Sequence, residues 1–258
     1  ADMADLKKFP LHFNKHLFQI LAAFKALSLH RRYHYDGVWA MMAHSCGVPA
    51  ALFTLMRPRV KLVLELQEGD PPEYIEKLMR PLWPLFSRAF TSATVVSVIS
   101  TFLGKWARRR GFGGPVELVP NAVNGAHFAG ARITHEGTVL ITTSRLVHKN
   151  AIDDCLRALP LVPDIRFKIL GVGPDEQTLR ALATELGVAN RVDWLGYIDH
   201  KDMPKYLHEA DVFIRPSRSE GMGNSFIEAF AAGIPVIATQ EGGLSDFITT
   251  DVAWPVQK

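Results

Sequence analysis

The sequence is short of several features that would place a protein in a specialised class. It has only two cysteines in 258 residues, Cys46 and Cys155, which are too few for a disulfide framework and do not match a metal-site spacing. No uninterrupted apolar run is long enough to span a bilayer. The formal net charge is only +3, so the overall charge does not demand a nucleic-acid partner. The composition therefore predicts a globular protein in a reduced, cytoplasmic setting.

Two common nucleotide-binding motifs are also missing. No Gly-Lys-Ser or Gly-Lys-Thr triplet occurs, which excludes a Walker loop. The segment Gly171-Val172-Gly173 resembles the start of a dinucleotide fingerprint. However, Pro174 interrupts the turn, and Glu176 stands where that fingerprint requires a third glycine or an alanine. The sequence therefore argues against a P-loop enzyme and against a nicotinamide-dependent enzyme.

Short apolar runs alternate with helix-like segments along the whole chain. This alternation is typical of parallel sheets covered by helices, so we predict an α/β fold with two Rossmann-like, doubly wound domains. The predicted strands are residues 38–43, 61–66, 94–100, 116–120, 138–144, 166–171, 192–197, 212–216 and 235–239. The predicted helices in the second half are residues 151–159, 175–186 and 224–232.

Turn and linker residues mark a boundary between the two domains. Residues 119–125 read Val-Pro-Asn-Ala-Val-Asn-Gly, a combination that favours turns. We therefore predict a first domain of residues 1–120 and a second domain of residues 121–258. The first domain begins with a helix and has only about four strands, so it lacks the units that normally start a doubly wound sheet. We expect this first domain to be incomplete.

The most informative stretch runs from Ser219 to Glu228 and reads Ser-Glu-Gly-Met-Gly-Asn-Ser-Phe-Ile-Glu. Its two carboxylates, Glu220 and Glu228, are separated by seven residues, and each can accept hydrogen bonds from two sugar hydroxyls at once. Gly221 and Gly223 let the backbone approach a ligand closely. The N-terminus of the helix that follows favours an anion such as a phosphate.

Three further clusters follow predicted strands of the second half, where open α/β sheets bind ligands. Arg145 and Lys149 could converge on one anion, and a pair of solvated surface cations is the alternative. Gly171 and Gly173 indicate a close approach of phosphate or ribose, with an ordinary turn as the alternative. Residues 195–198 lie at the end of the predicted strand 192–197, where the backbone either faces a base or makes an ordinary turn.

In their order and spacing, these clusters resemble the donor-binding domain of retaining glycosyltransferases of the GT-B fold, family 4, also called group 1. The resemblance covers residues 116–250. It rests on Ser144-Arg145-Leu146-Val147 with Lys149-Asn150, Gly171-Val172-Gly173, Leu195-Gly196-Tyr197, residues 210–217, residues 220–228, and residues 233–238 with Gly242-Gly243. A looser match through residues 35–40 and 95–100 relates the first half to the end of the acceptor domain.

The resemblance implies a bacterial-type hexosyltransferase that takes a sugar from a UDP-, GDP- or ADP-sugar, retains its anomeric configuration and needs no metal. Its acceptor would be a glycan, a lipid or a small molecule. Arg145 and Lys149 would neutralise the departing diphosphate, and Glu220 would orient the donor sugar and stabilise charge near its anomeric carbon. Glu228 would accept from the two ribose hydroxyls. The other donor-binding residues would contact the base or the phosphates: Gly171, Gly173, Tyr197, Ile198, Met222, Gly223, Asn224 and Ser225.

The chain departs from the family pattern on the acceptor side. The glycine-rich loop after the first strand and the C-terminal helices have no counterpart. Gln67-Glu68-Gly69-Asp70 stands where many members have a histidine. His44 and Asp70 are therefore the candidate acceptor-side residues, with a structural role as the alternative for His44. We expect a fragment or a remodelled relative of the family.

Two alternative functions are compatible with the same architecture. A catalytically silent module would keep the nucleotide-sugar site and lack the acceptor half. An epimerase or a phosphorylase is the third reading, although no motif argues for the lysine-bound pyridoxal phosphate that a phosphorylase needs.

The N-terminal segment carries an amphipathic pattern with two interpretations. Its apolar residues fall near helical spacing, and positive charges accompany them: Phe13, Leu17, Ile20, Leu21, Phe24 and Leu27 with Lys15, Lys25, Arg31 and Arg32. In the interpretation that we favour, this helix covers the first sheet. In the alternative it lies on an anionic membrane, at whose inner face it would meet a lipid-linked acceptor.

Overall fold

The computed structural model describes residues 11–257, with side chains described from residue 17 onward. The chain divides into two compact units, Ala1–Pro120 (unit 1) and Asn121–Lys258 (unit 2). Each unit is built on a parallel sheet with helices between its strands. The predicted α/β fold with two parallel sheets is therefore confirmed.

Unit 1 contains four parallel strands, β1 (Gly37–Met41), β2 (Lys61–Leu66), β3 (Val95–Val98) and β4 (Val116–Leu118). Its helices are α1 (Leu11–Tyr33), α2 (Val48–Met56), α3 (Pro72–Leu78), α4 (Trp83–Thr91) and α5 (Thr101–Arg109). The strands stand in the order β1-β2-β3-β4. This order rises without a reversal within the described residues.

The core of unit 1 follows from the alternation of side chains along its strands. Leu62, Leu64 and Leu66 of β2 are fully buried. Phe90 of α4 packs edge-to-face on Trp106 of α5, with 5.2 Å between the ring centroids. Burial of such large apolar side chains is the main favourable term that holds helices to a sheet.

Unit 2 contains six parallel strands, β5 (Thr138–Thr143), β6 (Ile165–Leu170), β7 (Val192–Gly196), β8 (Val212–Arg215), β9 (Val236–Thr239) and β10 (Trp254–Val256). Its helices are α6 (Gly125–Phe128), α7 (Ile152–Ala158), α8 (Glu176–Glu185), α9 (Met203–His208) and α10 (Asn224–Ala231). The strand order is β10-β9-β8-β5-β6-β7. The order therefore reverses at β5, and such a switch point is where open α/β sheets form a ligand crevice at the carboxyl ends of their strands.

Both faces of the unit 2 sheet are covered. Successive side chains of a strand point to opposite faces. Ile141 of β5 belongs to one hydrophobic cluster with Phe213 and Phe226. Phe167 and Ile169 of β6 belong to a second cluster, which packs on α7 and α8. This two-sided core explains why the strands of unit 2 read as nearly continuous apolar runs.

Strand β10 was not predicted from the sequence. It pairs with β9 at the edge of the sheet, where Trp254 lies opposite Ile237 and Pro255 opposite Ala238. Proline lacks a backbone N–H, so it occurs in sheets mainly on edge strands, and a three-residue run that contains it gives little strand signal.

The expected packing of the N-terminal helix was wrong in one respect. Helix α1 buries Gln19, Ala23 and Leu27, and it packs mainly on α2. Ile20 and Phe24, which were expected to cover the sheet, are 46% and 59% exposed. The small side chain of Ala23 allows close helix–helix contact on the buried side, whereas Ile20, Leu21 and Phe24 point outward. The side chains of Phe13 and Lys15 lie outside the described residues.

Within residues 11–257, no helix is both long enough and apolar enough to cross a bilayer.

Candidate functional site

A cavity of about 440 Å³ opens at the carboxyl ends of β5, β6 and β7 in unit 2. This position is the edge of the sheet that the reversal of strand order predicts. The cavity brings together residues from four separate parts of the chain. Its lining is Thr143, Ser144, Arg145, Leu170, Gly171, Val172, Tyr197, Ile198, His200, Met203 and Glu228. Five predicted site residues are among them: Arg145, Gly171, Tyr197, Ile198 and Glu228.

The two glycines after β6 hold the loop that carries Arg145. A Cβ at Gly171, whose φ is +133°, would lie 1.8 Å from the carbonyl oxygen of Ser144, and a Cβ at Gly173 would lie 2.1 Å from that of Leu146. Hydrogen bonds join the same segments, since the Leu146 amide donates to the Val172 carbonyl at 3.1 Å. The close approach that these glycines permit is thus to the protein's own backbone. It fixes the loop on which the exposed Arg145 side chain stands.

Lys149 lies on the same loop as Arg145, in the 3-10 turn His148–Asn150. The Asn150 side-chain amide donates to the Arg145 carbonyl at 2.6 Å, which ties the two parts of the loop together. The Lys149 carbonyl accepts from the Arg218 amide at 2.7 Å. The Lys149 side chain is half-buried and does not line the cavity, so the structure places only Arg145 on its wall.

Glu228 projects into the cavity from α10 and meets a histidine that was not predicted. Its Oε1 lies 3.2 Å from Nε2 of His200, and the Glu228 side chain is 12% exposed. The ring of His127 stacks on His200 with 5.5 Å between the centroids, and Phe128 meets it edge-on at 5.4 Å. His200 lies two residues after the predicted base-binding residue Ile198, and this nearness to the end of β7 is the signal that could have identified it.

Glu220 does not line the cavity, but a buried arginine connects it to the wall. Nη2 of Arg215 donates to Glu220 Oε1 at 2.7 Å, and Nη1 donates to the carbonyl of Thr143, a lining residue, at 3.2 Å. Burial lowers the pKa of Arg215, and the negative charges of Glu220 and Glu228 act in the opposite direction. The Glu220 carbonyl accepts from the Gly243 amide at 2.9 Å, which holds this loop against the segment after β9.

The four residues expected to offer backbone amides stand at the start of α10. Gly223, with a φ of +77°, precedes the helix. The Met222 sulfur accepts from the Asn121 amide at 3.2 Å, and the Asn224 side chain accepts from that of Asn121 at 3.0 Å. The Ser225 hydroxyl is buried with no hydrogen-bond partner within the part of the chain that the structure describes. These residues lie beside the Glu220 loop and are not part of the cavity lining.

The two acceptor-side candidates lie in unit 1, and their surroundings contain two residues that were not predicted. His44 belongs to a π-helix, Met42–Gly47, and its Nδ1 lies 3.6 Å from Oε1 of Glu68. Glu68 is 1% exposed, and its Oε1 accepts from the Ala43 amide at 2.5 Å. Gln19 donates to the His44 carbonyl at 2.6 Å. Asp70 is half-buried at the loop after β2.

Comparison with known proteins matches unit 2 to one sequence family. The family model described as Glycosyl transferases group 1 matches residues 123–254.

Two curated mannosyltransferases match by sequence. The GDP-mannose-dependent monoacylated alpha-(1-6)-phosphatidylinositol monomannoside mannosyltransferase of Corynebacterium glutamicum is 38% identical over 122 residues, which are 43% of this chain and 32% of the relative. The GDP-mannose-dependent alpha-(1-6)-phosphatidylinositol monomannoside mannosyltransferase of Mycolicibacterium smegmatis is 32% identical over 176 residues, which are 58% of this chain and 46% of the relative. The chain therefore matches less than half of the length of each.

Two solved structures share the fold over more than nine-tenths of the chain. Anabaena HepE in complex with UDP and glucose has a TM-score of 0.75 at 21% identity, covering 92% of this chain and 67% of that one. Sucrose-phosphate synthase from Thermosynechococcus elongatus has a TM-score of 0.79 at 21% identity, covering 96% and 66%. At this level of identity the likeness concerns the fold alone.

Proposed function

The chain belongs to the family of glycosyl transferases group 1, and from this membership we propose that it transfers a sugar from a nucleoside-diphosphate sugar to an acceptor. One observation carries the proposal. Arg145, Tyr197 and Glu228 come from distant parts of the chain and line one cavity at the switch point of the sheet. A cation, an aromatic ring and a carboxylate are the groups that a diphosphate, a base and a ribose require. The GDP-mannose dependence named for two relatives and the UDP in the HepE complex support a nucleotide donor.

Each part of the donor has a proposed partner. Arg145 and Lys149 neutralise the diphosphate as it leaves, with help from the amides at the start of α10. Glu228 accepts from the ribose hydroxyls once His200 has turned aside. Tyr197 and Ile198 flank the base. Glu220 holds the donor sugar and stabilises the positive charge that grows on its ring during bond breaking.

We propose that the reaction retains the anomeric configuration and needs no metal ion. The two side-chain cations supply the charge that a divalent ion supplies in other sugar-nucleotide enzymes. Transfer measured with and without EDTA tests this point, and we expect equal rates. Proton NMR of the first product gives the anomeric configuration, and an inverted product would contradict retention.

A thermal-shift screen tests the donor proposal directly. UDP-, GDP- and ADP-sugars are compared, because a ligand that binds only the folded state at a hundredfold excess over Kd stabilises it by about 2.7 kcal/mol. We expect one base to raise the melting temperature clearly above the other two. If none of the three does so, the proposal is wrong.

A matched pair of variants then locates the site. Glu228→Gln removes the charge that accepts from the ribose, and it should weaken binding of the stabilising nucleotide by about tenfold. Glu136→Gln removes an exposed carboxylate outside the cavity and should leave binding unchanged. Equal effects of the two substitutions would contradict the assignment of Glu228.

We also propose that α1 brings the protein to the anionic inner face of a membrane, where the protein meets a lipid-linked acceptor. Phe18, Ile20, Leu21 and Phe24 are 46–59% exposed on this helix. Lys25 is exposed on the same helix, and Arg31 and Arg32 add positive charge in its last turn. Exposed apolar residues with flanking cations are the pattern of an interfacial helix.

Flotation with vesicles tests this contact. We expect binding to vesicles that contain phosphatidylglycerol, weaker binding to pure phosphatidylcholine, and loss of binding in the double variant Ile20→Ser with Phe24→Ser. Unchanged flotation of that variant, or self-association through α1 instead of vesicle binding, would overturn the proposal.

The second candidate function is a binding module that holds a nucleotide sugar without turning it over. The observation that favours it is that Lys149 and Glu220, two of the predicted catalytic residues, do not line the cavity, whereas Tyr197 and Glu228 do. Release of free sugar from the donor, or its transfer to an acceptor, supports the enzyme. Saturable binding of the donor without either product supports the module.

A further inference from the structure

Arg215 is a buried cation in unit 2 that the predicted site does not include. Its side chain is 5% exposed. All three of its guanidinium nitrogens donate hydrogen bonds: Nη2 to Glu220 Oε1 at 2.7 Å, Nη1 to the Thr143 carbonyl at 3.2 Å and Nε to Ser217 Oγ at 3.1 Å. The guanidinium also lies over the ring of Phe226, 4.3 Å from its centroid. A buried planar cation with this many partners is held in one orientation.

The charge of Arg215 is balanced by the two carboxylates of the proposed donor site. Burial of a lone cation is unfavourable, and the cation is tolerated where opposite charges lie nearby. Glu220 is in direct contact, and the charge of Glu228 also acts on Arg215. The two acids that are separated by seven residues in the sequence are thus joined electrostatically through one arginine.

The loop between β8 and α10 is built around this guanidinium. Arg215 is the last residue of β8, so its side chain stands at the carboxyl edge of the sheet. A Cβ at Gly223 would lie 2.6 Å from the Phe226 ring and 2.9 Å from Nη2 of Arg215. Only a residue without a side chain lets the backbone pass this close, and the φ of +77° at Gly223 also favours glycine. The glycine before α10 therefore makes room for the arginine.

We propose that Arg215 is a positioning residue for the donor sugar. It holds Oε1 of Glu220, so that Oε2 of the same carboxylate is turned toward the hydroxyl groups of the sugar. This inference rests on the proposed function, because it names the group that orients Glu220 within the same site. Arg145 and Lys149 act on the diphosphate, whereas Arg215 acts on the sugar through Glu220.

The test compares a sugar nucleotide with its parent nucleotide in the same variant. Titration calorimetry measures GDP-mannose against GDP, with UDP-glucose against UDP in parallel. In Arg215→Met we expect Kd for the sugar nucleotide to rise about tenfold, which corresponds to the loss of one hydrogen bond to a charged group. Kd for the parent nucleotide should change less than about threefold, because Arg145, Tyr197 and Glu228 remain in place.

Four further variants separate positioning from simple structural support. Arg215→Lys keeps the buried charge and should restore part of the affinity for the sugar nucleotide. Glu220→Gln should show the same sugar-selective loss as Arg215→Met, and the double variant should lose no more than either alone, since both changes remove one interaction. Arg166→Met removes an exposed arginine of β6 and should change neither affinity.

Each outcome decides the question. A rise of both dissociation constants by the same factor, or no change in a variant that stays folded, overturns the positioning role. If Arg215→Met does not fold, Arg215→Lys carries the test, and we expect a sugar-selective loss of about threefold from its poorer geometry. If the wild-type protein binds no UDP-, GDP- or ADP-sugar, the proposed function itself fails. If it binds nucleotide without the selective loss in the variants, only this inference fails.

Discussion

Glu68 in unit 1 and Arg215 in unit 2 are both buried charges at the carboxyl ends of parallel strands, yet their surroundings differ. Arg215 has a hydrogen-bond acceptor for each guanidinium nitrogen and a carboxylate in direct contact. Glu68 uses one oxygen, Oε1, for the Ala43 amide, and its Oε2 is buried without a partner within residues 17–257. Gln19 Oε1 and His44 Nδ1, which belong to the same neighbourhood, are also buried without hydrogen-bond partners there.

The polar network around Arg215 therefore has its hydrogen bonds satisfied, whereas the network around Glu68 does not. Buried polar atoms are normally paired, so three buried atoms without a hydrogen bond in one neighbourhood set this part of unit 1 apart from the Arg215 network. Met42, at the start of that π-helix, has a φ of +69°, a strained conformation of the kind that clusters at functional sites. The Arg215 network of unit 2 has its hydrogen bonds satisfied, whereas the neighbourhood of Glu68 in unit 1 carries unsatisfied groups where acceptor chemistry is expected.

The largest effect is expected from breaking the tight backbone contact of unit 2. Gly171→Ala would force a Cβ to within 1.8 Å of the Ser144 carbonyl oxygen. The loop with Arg145 would have to move, and we expect a loss of about 3 kcal/mol in the free energy of unfolding. Urea denaturation measures the loss, and nucleotide affinity should fall with it.

Gly196→Ala is the matched control for Gly171→Ala. Gly196 also has a positive φ, +67°, but a Cβ there would meet no atom within 4 Å. Gly196→Ala should therefore lower the free energy of unfolding by only about 1 kcal/mol, which is the cost of the left-handed backbone conformation. Equal losses in the two variants would show that backbone conformation alone, rather than the contact with Ser144, decides stability.

The sequence predicted the parts of the site that follow simple rules. Arg145, Tyr197 and Glu228 meet because parallel strands end at one edge of the sheet, and that edge is visible in the alternation of strands and helices. Arg215 was missed because it reads as one more residue of the strand 212–216. Its signal is a lone arginine in a buried apolar run, directly before a proline.

Other features depended on tertiary contacts that local patterns do not encode. The sequence suggested that Gly171 and Gly173 allow a close approach of phosphate or ribose, with an ordinary turn as the alternative. The structure shows that they instead allow a close approach of the backbone at Ser144 and Leu146. In the π-helix Met42–Gly47, the Ala43 amide donates to the Glu68 carboxylate, a contact between residues 25 positions apart. Residue propensities encode neither of these two contacts.

A smaller effect is expected from unit 1. Glu68→Ala would leave the Ala43 amide buried without an acceptor, which costs about 2 kcal/mol of unfolding free energy. Glu68→Gln keeps an acceptor at the same place and should lose less than about 1 kcal/mol. Urea denaturation with hydrogen exchange of the Ala43 amide checks both. If the two variants are equally stable, the amide contact is not what holds the π-helix.

An ion pair of unit 2 should make stability depend on pH. Burial alone would raise the pKa of Asp153, but its hydrogen bond with Arg218 and the charge of Arg218 outweigh burial and hold the pKa below its usual value. A carboxylate with a lowered pKa stabilises the fold above its unfolded pKa, about 3.9, and this stabilisation disappears as the pH falls through the lower folded value.

Arg218→Met is therefore expected to cost about 1 kcal/mol at pH 7, a modest value because both side chains are partly exposed to solvent. The difference from wild type should persist down to about pH 5 and shrink below about pH 4. Arg166→Met, which breaks the more exposed pair with Asp193, should cost less at every pH. A pH-independent difference for Arg218→Met would assign its effect to packing and to its bond with the His148 carbonyl.

The two cysteines offer the smallest perturbation, one in each unit. Burial raises the pKa of both thiols, and Cys155 is 4% exposed whereas Cys46 is half-buried. Thiol labelling at pH 8 should therefore modify Cys46 of the π-helix before Cys155 of α7. Faster labelling of Cys155 would mean that unit 2 opens around α7 more readily than Cys46 becomes accessible in unit 1.

The most direct measurement is a crystal structure of the chain with GDP or UDP bound. We predict the diphosphate within hydrogen-bonding distance of the Arg145 guanidinium and the Lys149 ammonium, with the ribose hydroxyls on Glu228 in place of His200. A nucleotide bound elsewhere, for example in the separate hollow beside Asp153 and Arg157, would contradict the account.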